Sequence, residues 1–464
     1  MTRRPVTLTL LLAAPLAACA PQARISVAEP VLSADWSRPS DTTVTGEAAV
    51  PADLAALLAS RELAELTARA FASNPDIRVA ATRIDRAKAL LSRARLAALP
   101  QVTATLGTNG RALNSAVLDF PAAFASLDAT LDIDPFGRLA GQRAAARAQV
   151  LAATYERDAA VLGIETGLAQ AFVLRATIAR RIAILDGTIA RAARMESIIR
   201  SRFEAGDATR VDLGQQSVRL LDLRRKRSEL AEALDQTRTA IAVLCGLEAP
   251  GFALPPAELT AIALPDLSPP PPTRLLAARP DVLAREAGIA AANGDVRAAR
   301  AAFMPSFSFS AEGLVEAMTG GVLDTAVRAG AAVLVPIFAQ GRLTSGLRVA
   351  EADQVAAVEA YRQTVLGALA EVEDLMNAVA ASRERATLLG AILAEARLTS
   401  DLSNTRYIEG EEDLQVVLDA QQLLGDAEDA QVLGQQEQLF AQIAMYRAMG
   451  GHRAQSAPLV AAAR

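Results

Sequence analysis

From Arg138 to Phe203, and again from Arg342 to Tyr407, apolar residues return every three or four positions and no proline interrupts them, the pattern of two long helices. In the second stretch Val358, Tyr361, Val365, Leu369, Val372, Met376 and Val379 advance by about 3.5 residues a step, a coiled-coil period. Ile178, Ile182, Leu185 and Ile189 do the same in the first. An ordinary helical bundle accounts for such a seam equally well. The proline-free segments Phe136 to Ala249 and Ile337 to Ala457 each contain a glycine-centred turn, at Gly206 and Gly410, so each reads as a helical hairpin. The first arm of each hairpin has about 66 residues, which corresponds to roughly 100 Å of helix.

Between Pro100 and Pro135, and between Pro305 and Pro336, the period changes from helix to strand. Val102, Ala104 and Leu106 alternate with Gln101, Thr103 and Thr105; Leu127, Ala129, Leu131 and Ile133 alternate with Asp128, Thr130, Asp132 and Asp134. Phe307 and Phe309 alternate with serines, and 328–335 carries a weaker version. Two hairpins with one apolar and one polar face fit a membrane barrel with a wet lumen. Four strands cannot close a barrel, and an open edge is not tolerated in lipid, so several chains must share one. Two chains would supply eight strands and a filled interior, and three would supply twelve and room for a pore; periodicity does not choose between them.

The landmarks repeat at a spacing of roughly 204 residues. Arg202-Phe203-Glu204-Ala205-Gly206 returns as Arg406-Tyr407-Ile408-Glu409-Gly410, Gly137-Arg138-Leu139 as Gly341-Arg342-Leu343, Pro75-Asp76 as Pro280-Asp281, and Pro100 as Pro305. The expected organisation is a signal segment 1–18, a tether 19–60, a first repeat 61–250, a Pro-rich linker 251–274, a second repeat 275–450 and a tail 451–464. The first repeat holds a β-hairpin at 101–134 and a helical hairpin at 138–245. The second holds a β-hairpin at 306–335 and a helical hairpin at 342–449.

Composition narrows the functional classes. Apolar residues make up 52% of the 464 residues and aromatics only 4%, which suits close-packed helices. A net charge of −5 argues against nucleic-acid binding. The two lysines, Lys88 and Lys226, lie in no glycine-rich phosphate loop. With one histidine, His452, and two cysteines, Cys19 and Cys245, no catalytic triad or Cys/His metal site can be assembled, and neither enzyme activity nor a cofactor is expected. The N-terminus, with Arg3, Arg4 and a short apolar run, reads as an export signal. Leu16-Ala17-Ala18-Cys19 resembles a bacterial lipobox, which implies lipidation of Cys19, and Ala20 after it favours the outer membrane.

Taken together, residues 202–212 (RFEAGDATRVD), 406–410 (RYIEG) with 417–421 (VLDAQ), and 279–281 (RPD) with 299–306 (ARAAFMPS) resemble the TolC-like outer-membrane efflux channels, most closely their lipidated branch. The likeness spans residues 60 to 450. It implies a mainly α fold with a membrane β-barrel portion: a long α-helical coiled-coil barrel under a 12-stranded barrel to which each chain of a homotrimer gives four strands. Shorter helices, roughly 62–97 with 207–245 and 281–302 with 411–449, would complete the wall. It also implies an outer-membrane exit duct for drugs or other small molecules, working with a periplasmic adaptor protein and an inner-membrane pump.

The same resemblance implies a gate at the periplasmic tip. Asp212 matches an acceptor for the hydroxyl of Tyr407 on the neighbouring hairpin, although an Asp near a helix N-terminus also has a purely local use. Val416 and Asp419 fall at two constriction positions that are both acidic in some members, and Glu412 stands where some members have a basic latch. The turns Ala205-Gly206-Asp207 and Glu409-Gly410-Glu411 match the adaptor-docking points. Competing readings are a non-conducting periplasmic coiled-coil lipoprotein and an outer-membrane channel for metal or protein export.

Overall fold

A computed structural model of the chain describes residues 36–37, 53–109, 122–317 and 323–451. Cys19, the signal segment, most of the expected tether and His452 lie outside the described residues. Nine α-helices and four strands are present among them: α1 (Leu54–Leu57), α2 (Arg61–Ser73), α3 (Pro75–Leu96), β1 (Gln101–Asn109), β2 (Ala122–Ile133), α4 (Arg138–Ala205), α5 (Arg210–Leu244), α6 (Pro272–Ala278), α7 (Pro280–Ala301), β3 (Ser306–Ala317), β4 (Leu323–Leu334), α8 (Gln340–Glu409) and α9 (Leu414–Ala448). The paired helices match in length: 22 residues in α3 and α7, 35 in α5 and α9, 68 in α4 and 70 in α8.

The chain divides into two compact units, and each draws on both sequence repeats. Among the described residues, one comprises 85–109, 122–152, 285–317 and 323–362, and the other comprises 36–37, 53–84, 153–284 and 363–451. Elements near the strands therefore cluster together irrespective of which repeat encodes them.

In the first unit the strands form one antiparallel sheet in the order β1-β2-β3-β4. The register puts Val102 opposite Ala129, Leu127 opposite Gly313 and Phe307 opposite Val333, so the apolar positions of all four strands share one face. The other face carries Thr103, Asp128, Ser308, Glu312 and Arg328. The apolar face is uncovered: Leu106 is 83% exposed and Val327 88%. Water would oppose that, and hydrocarbon would favour it. β1 and β4 are edge strands with one free row of backbone groups each among the described residues.

Beside the sheet, α4 and α7 approach with almost no side chain between them. A methyl group at Gly294 would stand 2.6 Å from the Ala145 nitrogen, and one at Gly141 would stand 2.8 Å from that of Ala298. Only glycine permits this crossing.

The second unit has a conventional apolar core. Leu54, Leu58, Leu63, Leu66, Leu168, Phe172, Ile241, Leu439, Ile443 and Tyr446 pack there with Leu259 and Ile262. The most apolar 18-residue window of α4 has a mean hydropathy of 1.3, but 61% of it is buried, as in a core helix.

Three expectations change here. The helix expected at 62–97 is two helices, because Pro75 lacks an amide hydrogen and pushes Asn74 to an extended conformation (ψ 126°). The segment 251–274 is more than an extended connector: a 3₁₀ turn at Leu259–Ala261 places Leu259 in the core, and α6 begins at Pro272. The end of the expected tether is also built in. Leu54 and Leu58 are buried, the Trp36 indole donates to the Pro270 carbonyl (2.9 Å), and Ser37 donates to Glu373 through its amide (2.9 Å) and hydroxyl (3.0 Å).

Candidate functional site at the hairpin turns

Both long hairpins turn in the same way. Gly206 and Gly410 have φ of +88° and +81°, a left-handed conformation that costs glycine little. The Asp207 amide returns to the Arg202 carbonyl (2.7 Å) and that of Glu411 to the Arg406 carbonyl (2.9 Å), the 6→1 bond of a Schellman ending. These turns expose Ala205, Gly206, Asp207, Glu409, Gly410 and Glu411 to solvent.

Behind the turns lies a small cluster of Met195, Ile199, Leu213, Tyr407 and Val417, contributed by both hairpins. Tyr407 is only 7% exposed. Its hydroxyl accepts a hydrogen bond from Arg202 Nη1 (2.7 Å), and the same guanidinium lies 4.6 Å from its ring centroid. Arg202 and Tyr407 end α4 and α8, so this contact ties one turn to the other.

Within the chain, Asp212 does not accept the Tyr407 hydrogen. Its Oδ2 accepts from the Thr209 amide (2.8 Å) and hydroxyl (2.7 Å), while Thr209 Oγ1 accepts from the Asp212 amide (3.2 Å). This reciprocal capping box satisfies the first orphan donors of α5 locally. The Thr209 backbone bond, and then its side-chain bond, hold the Asp212 carboxyl below its ordinary 3.8.

Of the other positions, Val416 is 42% exposed, and Asp419 is exposed and accepts from Gln415 Nε2 (2.9 Å). Glu412 pairs with Arg406 (3.4 Å), and Glu411 sits 3.9 Å from the same guanidinium. Arg219 changes the electrostatics of Asp419. Its Nη1 donates to the Leu418 carbonyl (2.6 Å); burial lowers its pKa, while Asp419 and Asp426 pull it back up. The charge of Asp419 therefore has a half-buried cation close by.

Further contacts join the hairpins behind the turns. Arg181 grips Asp429 with two bonds (2.6 and 2.9 Å), and Arg191 reaches Glu428 (3.5 Å). Isolated arginines on long helices carry no periodic signal, so none of these contacts was legible in the sequence. Cys245 is fully buried; burial raises its thiol pKa, opposed by Arg69, and so disfavours the reactive thiolate.

Comparisons with known proteins identify the family and the fold. The sequence profile of the family described as "Outer membrane efflux protein" matches residues 66–247 and 272–451. The chain is 30% identical over 413 residues to the pyoverdine export outer membrane protein OpmQ of Pseudomonas aeruginosa, covering 84% of this chain and 85% of that protein. With the toluene efflux pump outer membrane protein TtgF of Pseudomonas putida it shares 27% over 402 residues, covering 83% and 82%. Among solved structures, the outer-membrane channel OprN superposes with a TM-score of 0.81 at 25% identity, over 92% of this chain and 99% of that one.

Proposed function

The chain belongs to the family of outer membrane efflux proteins and is an efflux exit duct, and we propose that its paired hairpin turns form a gated periplasmic mouth. The observation that carries the gate is the Arg202–Tyr407 contact. It joins the end of α4 to the end of α8, so the two turns can separate only by giving up a charge-assisted hydrogen bond and a cation–ring contact.

The free edges of β1 and β4 support a homotrimer. Three chains supply twelve strands, and β4 of one can pair with β1 of the next. The exposed turns suit docking of a periplasmic adaptor that links the duct to an inner-membrane pump. Asp212 then serves first to fix the start of α5, while Asp419 and Glu412 add negative charge that Arg219 and Arg406 partly offset. We assign no catalytic step to the chain. The organisation read from the sequence, with two repeats and a lipid anchor at Cys19, is part of the same proposal.

Single-channel recording in planar bilayers tests this. The wild type is expected to conduct rarely. Arg202→Gln removes a bond worth about 1.5–3 kcal/mol per chain, and should raise the open population by at least about tenfold. Arg202→Lys should fall between the two. A wild type and an Arg202→Gln variant that both insert as trimers and never conduct would sink the duct, whereas equal conductance in both would sink only the gate.

A further inference from the structure

The four helix segments that adjoin the strands, 91–100, 136–150, 297–305 and 337–350, contain nine arginines and no acidic residue, in a chain whose net charge is −5. All four belong to the same compact unit as the sheet. Two of the nine are occupied, Arg138 by Asp132 (3.6 Å) and Arg300 by Glu351 (3.3 Å). Within the single chain, Arg93, Arg95, Arg147, Arg342 and Arg348 are exposed and make no ion pair with a described residue.

Local helix energetics do not account for all of them. Arg342 sits in the first turn of α8, where the helix dipole disfavours a cation and where no acidic residue compensates. The immediate neighbours are apolar and uncovered: Leu96 is 56% exposed, Leu99 54%, Ile337 71% and Phe338 99%. Arg93, Arg95 and Arg342 stand within about one turn of these exposed apolar side chains, and Arg147 and Arg348 about three turns further along their helices, a graded arrangement suited to a membrane interface. There the hydrocarbon parts enter the acyl region and guanidinium groups meet phosphates. An aqueous lumen would leave those apolar groups in water.

We propose that Arg93, Arg95, Arg147, Arg342 and Arg348 form a belt that binds the headgroups of anionic phospholipids in the leaflet at the helix end of the barrel. This rests on the strands being embedded in the membrane. Guanidinium can hold a phosphate through two parallel bonds, although the positive charge alone suffices for a preference between anionic and zwitterionic lipid.

Native mass spectrometry of the full-length trimer, titrated with phosphatidylglycerol or phosphatidylcholine, tests the belt. The wild type should retain phosphatidylglycerol preferentially, with each arginine removed lowering retention about fivefold. Arg95→Gln/Arg342→Gln/Arg348→Gln should therefore abolish most of the preference, and the corresponding triple Lys variant should keep it. If the Gln variant does not assemble, the single Arg342→Gln variant carries the comparison. Equal retention of the two lipids by the wild type, or an unchanged preference in the assembled Gln variant, overturns the proposal. Displacement of bound lipid by inorganic phosphate also overturns it, as does a change confined to anion conductance, which would place the arginines in the lumen. Failure of the wild type to insert into any bilayer would instead count against the embedded barrel.

Discussion

Replacing Arg279 with Met should loosen the junction of α7 and α9 by about 3 kcal/mol. Arg279 precedes Pro280 and its side chain is 10% exposed. It donates to both Asp281 oxygens (3.1 and 2.8 Å), to Glu371 (2.8 Å) and to the Ala448 carbonyl at the end of α9 (3.1 Å). Burial would raise the Asp281 pKa, but the Arg279 hydrogen bonds and charge outweigh it and hold the carboxyl below its usual range. Removing one member of such a pair costs about 3–5 kcal/mol because the partner's charge is stranded. Here the lower end applies, since Asp281 is 42% exposed and Glu371 keeps Arg447 at 3.0 Å. The other repeat supplies a calibrated control. Asn74, before Pro75, donates to the Leu244 carbonyl (2.8 Å) and accepts from the Asp76 and Ile77 amides (2.8 and 3.2 Å), so Asn74→Ala should cost about 2 kcal/mol, a cap plus one unpaired carbonyl. Hydrogen-exchange mass spectrometry reads both directly. Protection at 440–451 should fall about 100-fold in Arg279→Met, and protection at 238–247 about 30-fold in Asn74→Ala. A fall under tenfold at 440–451, or a larger effect from Asn74→Ala, would refute the reasoning.

Gly294→Ala should destabilise the α4/α7 crossing by about 1–3 kcal/mol, because the new methyl meets backbone under 3 Å away. Gly288→Ala on the same helix meets nothing within 4 Å and should gain about 0.5–1 kcal/mol; denaturant midpoints followed by circular dichroism distinguish the two. The Asp212 capping box gives a pH dependence with a fixed sign. Its folded pKa is depressed, so its stabilisation is complete above the unfolded carboxylate value and disappears as pH falls through the lower folded one. Asp212→Ala should therefore speed amide exchange at 208–216 at neutral pH, and should match the wild type once both are well below pH 3.8.

The strands were legible because alternation is a property of neighbouring residues, and Val102 to Leu106 reports its face without reference to the rest of the chain. The glycine turns were legible for a similar reason, since a left-handed residue at a helix end favours glycine in any context. Asn74 and Arg279 were not. They do the same work, each donating to the last turn of a returning helix, with side chains that share neither size nor charge. Gly246 and Gly450 belong to the same arrangement. Their φ values are +67° and +88°, and a side chain on either would strike the carbonyl of Ser73 or Ala278. Within the chain, Thr209 engages the Asp212 carboxylate and Arg202 donates to the Tyr407 hydroxyl oxygen. Capping boxes form within four residues and have little entropy to overcome, whereas a contact between hairpins must be specified by packing.

The duplication is close in the backbone but polarised in its charges. Arg181, Arg191, Arg202 and Arg219 all belong to the first repeat, and the groups they reach, Asp429, Glu428, Tyr407 and the Leu418 carbonyl, all belong to the second. The counterparts of Arg181 and Arg202 are also arginines, Arg385 and Arg406, but they turn inward to their own repeat, toward Glu437 and Glu412. A ring of three chains contains two kinds of seam, from first repeat to second within a chain and from second repeat to first between chains. The first kind is cross-linked by four cations. The second cannot use the same set, because the matching arginines are already engaged and the matching acceptors differ. The two seams therefore differ in the side chains that can hold them, and the four arginine contacts belong to the seam within a chain. One backbone pattern, used twice, thus makes joints of two chemical kinds around the ring.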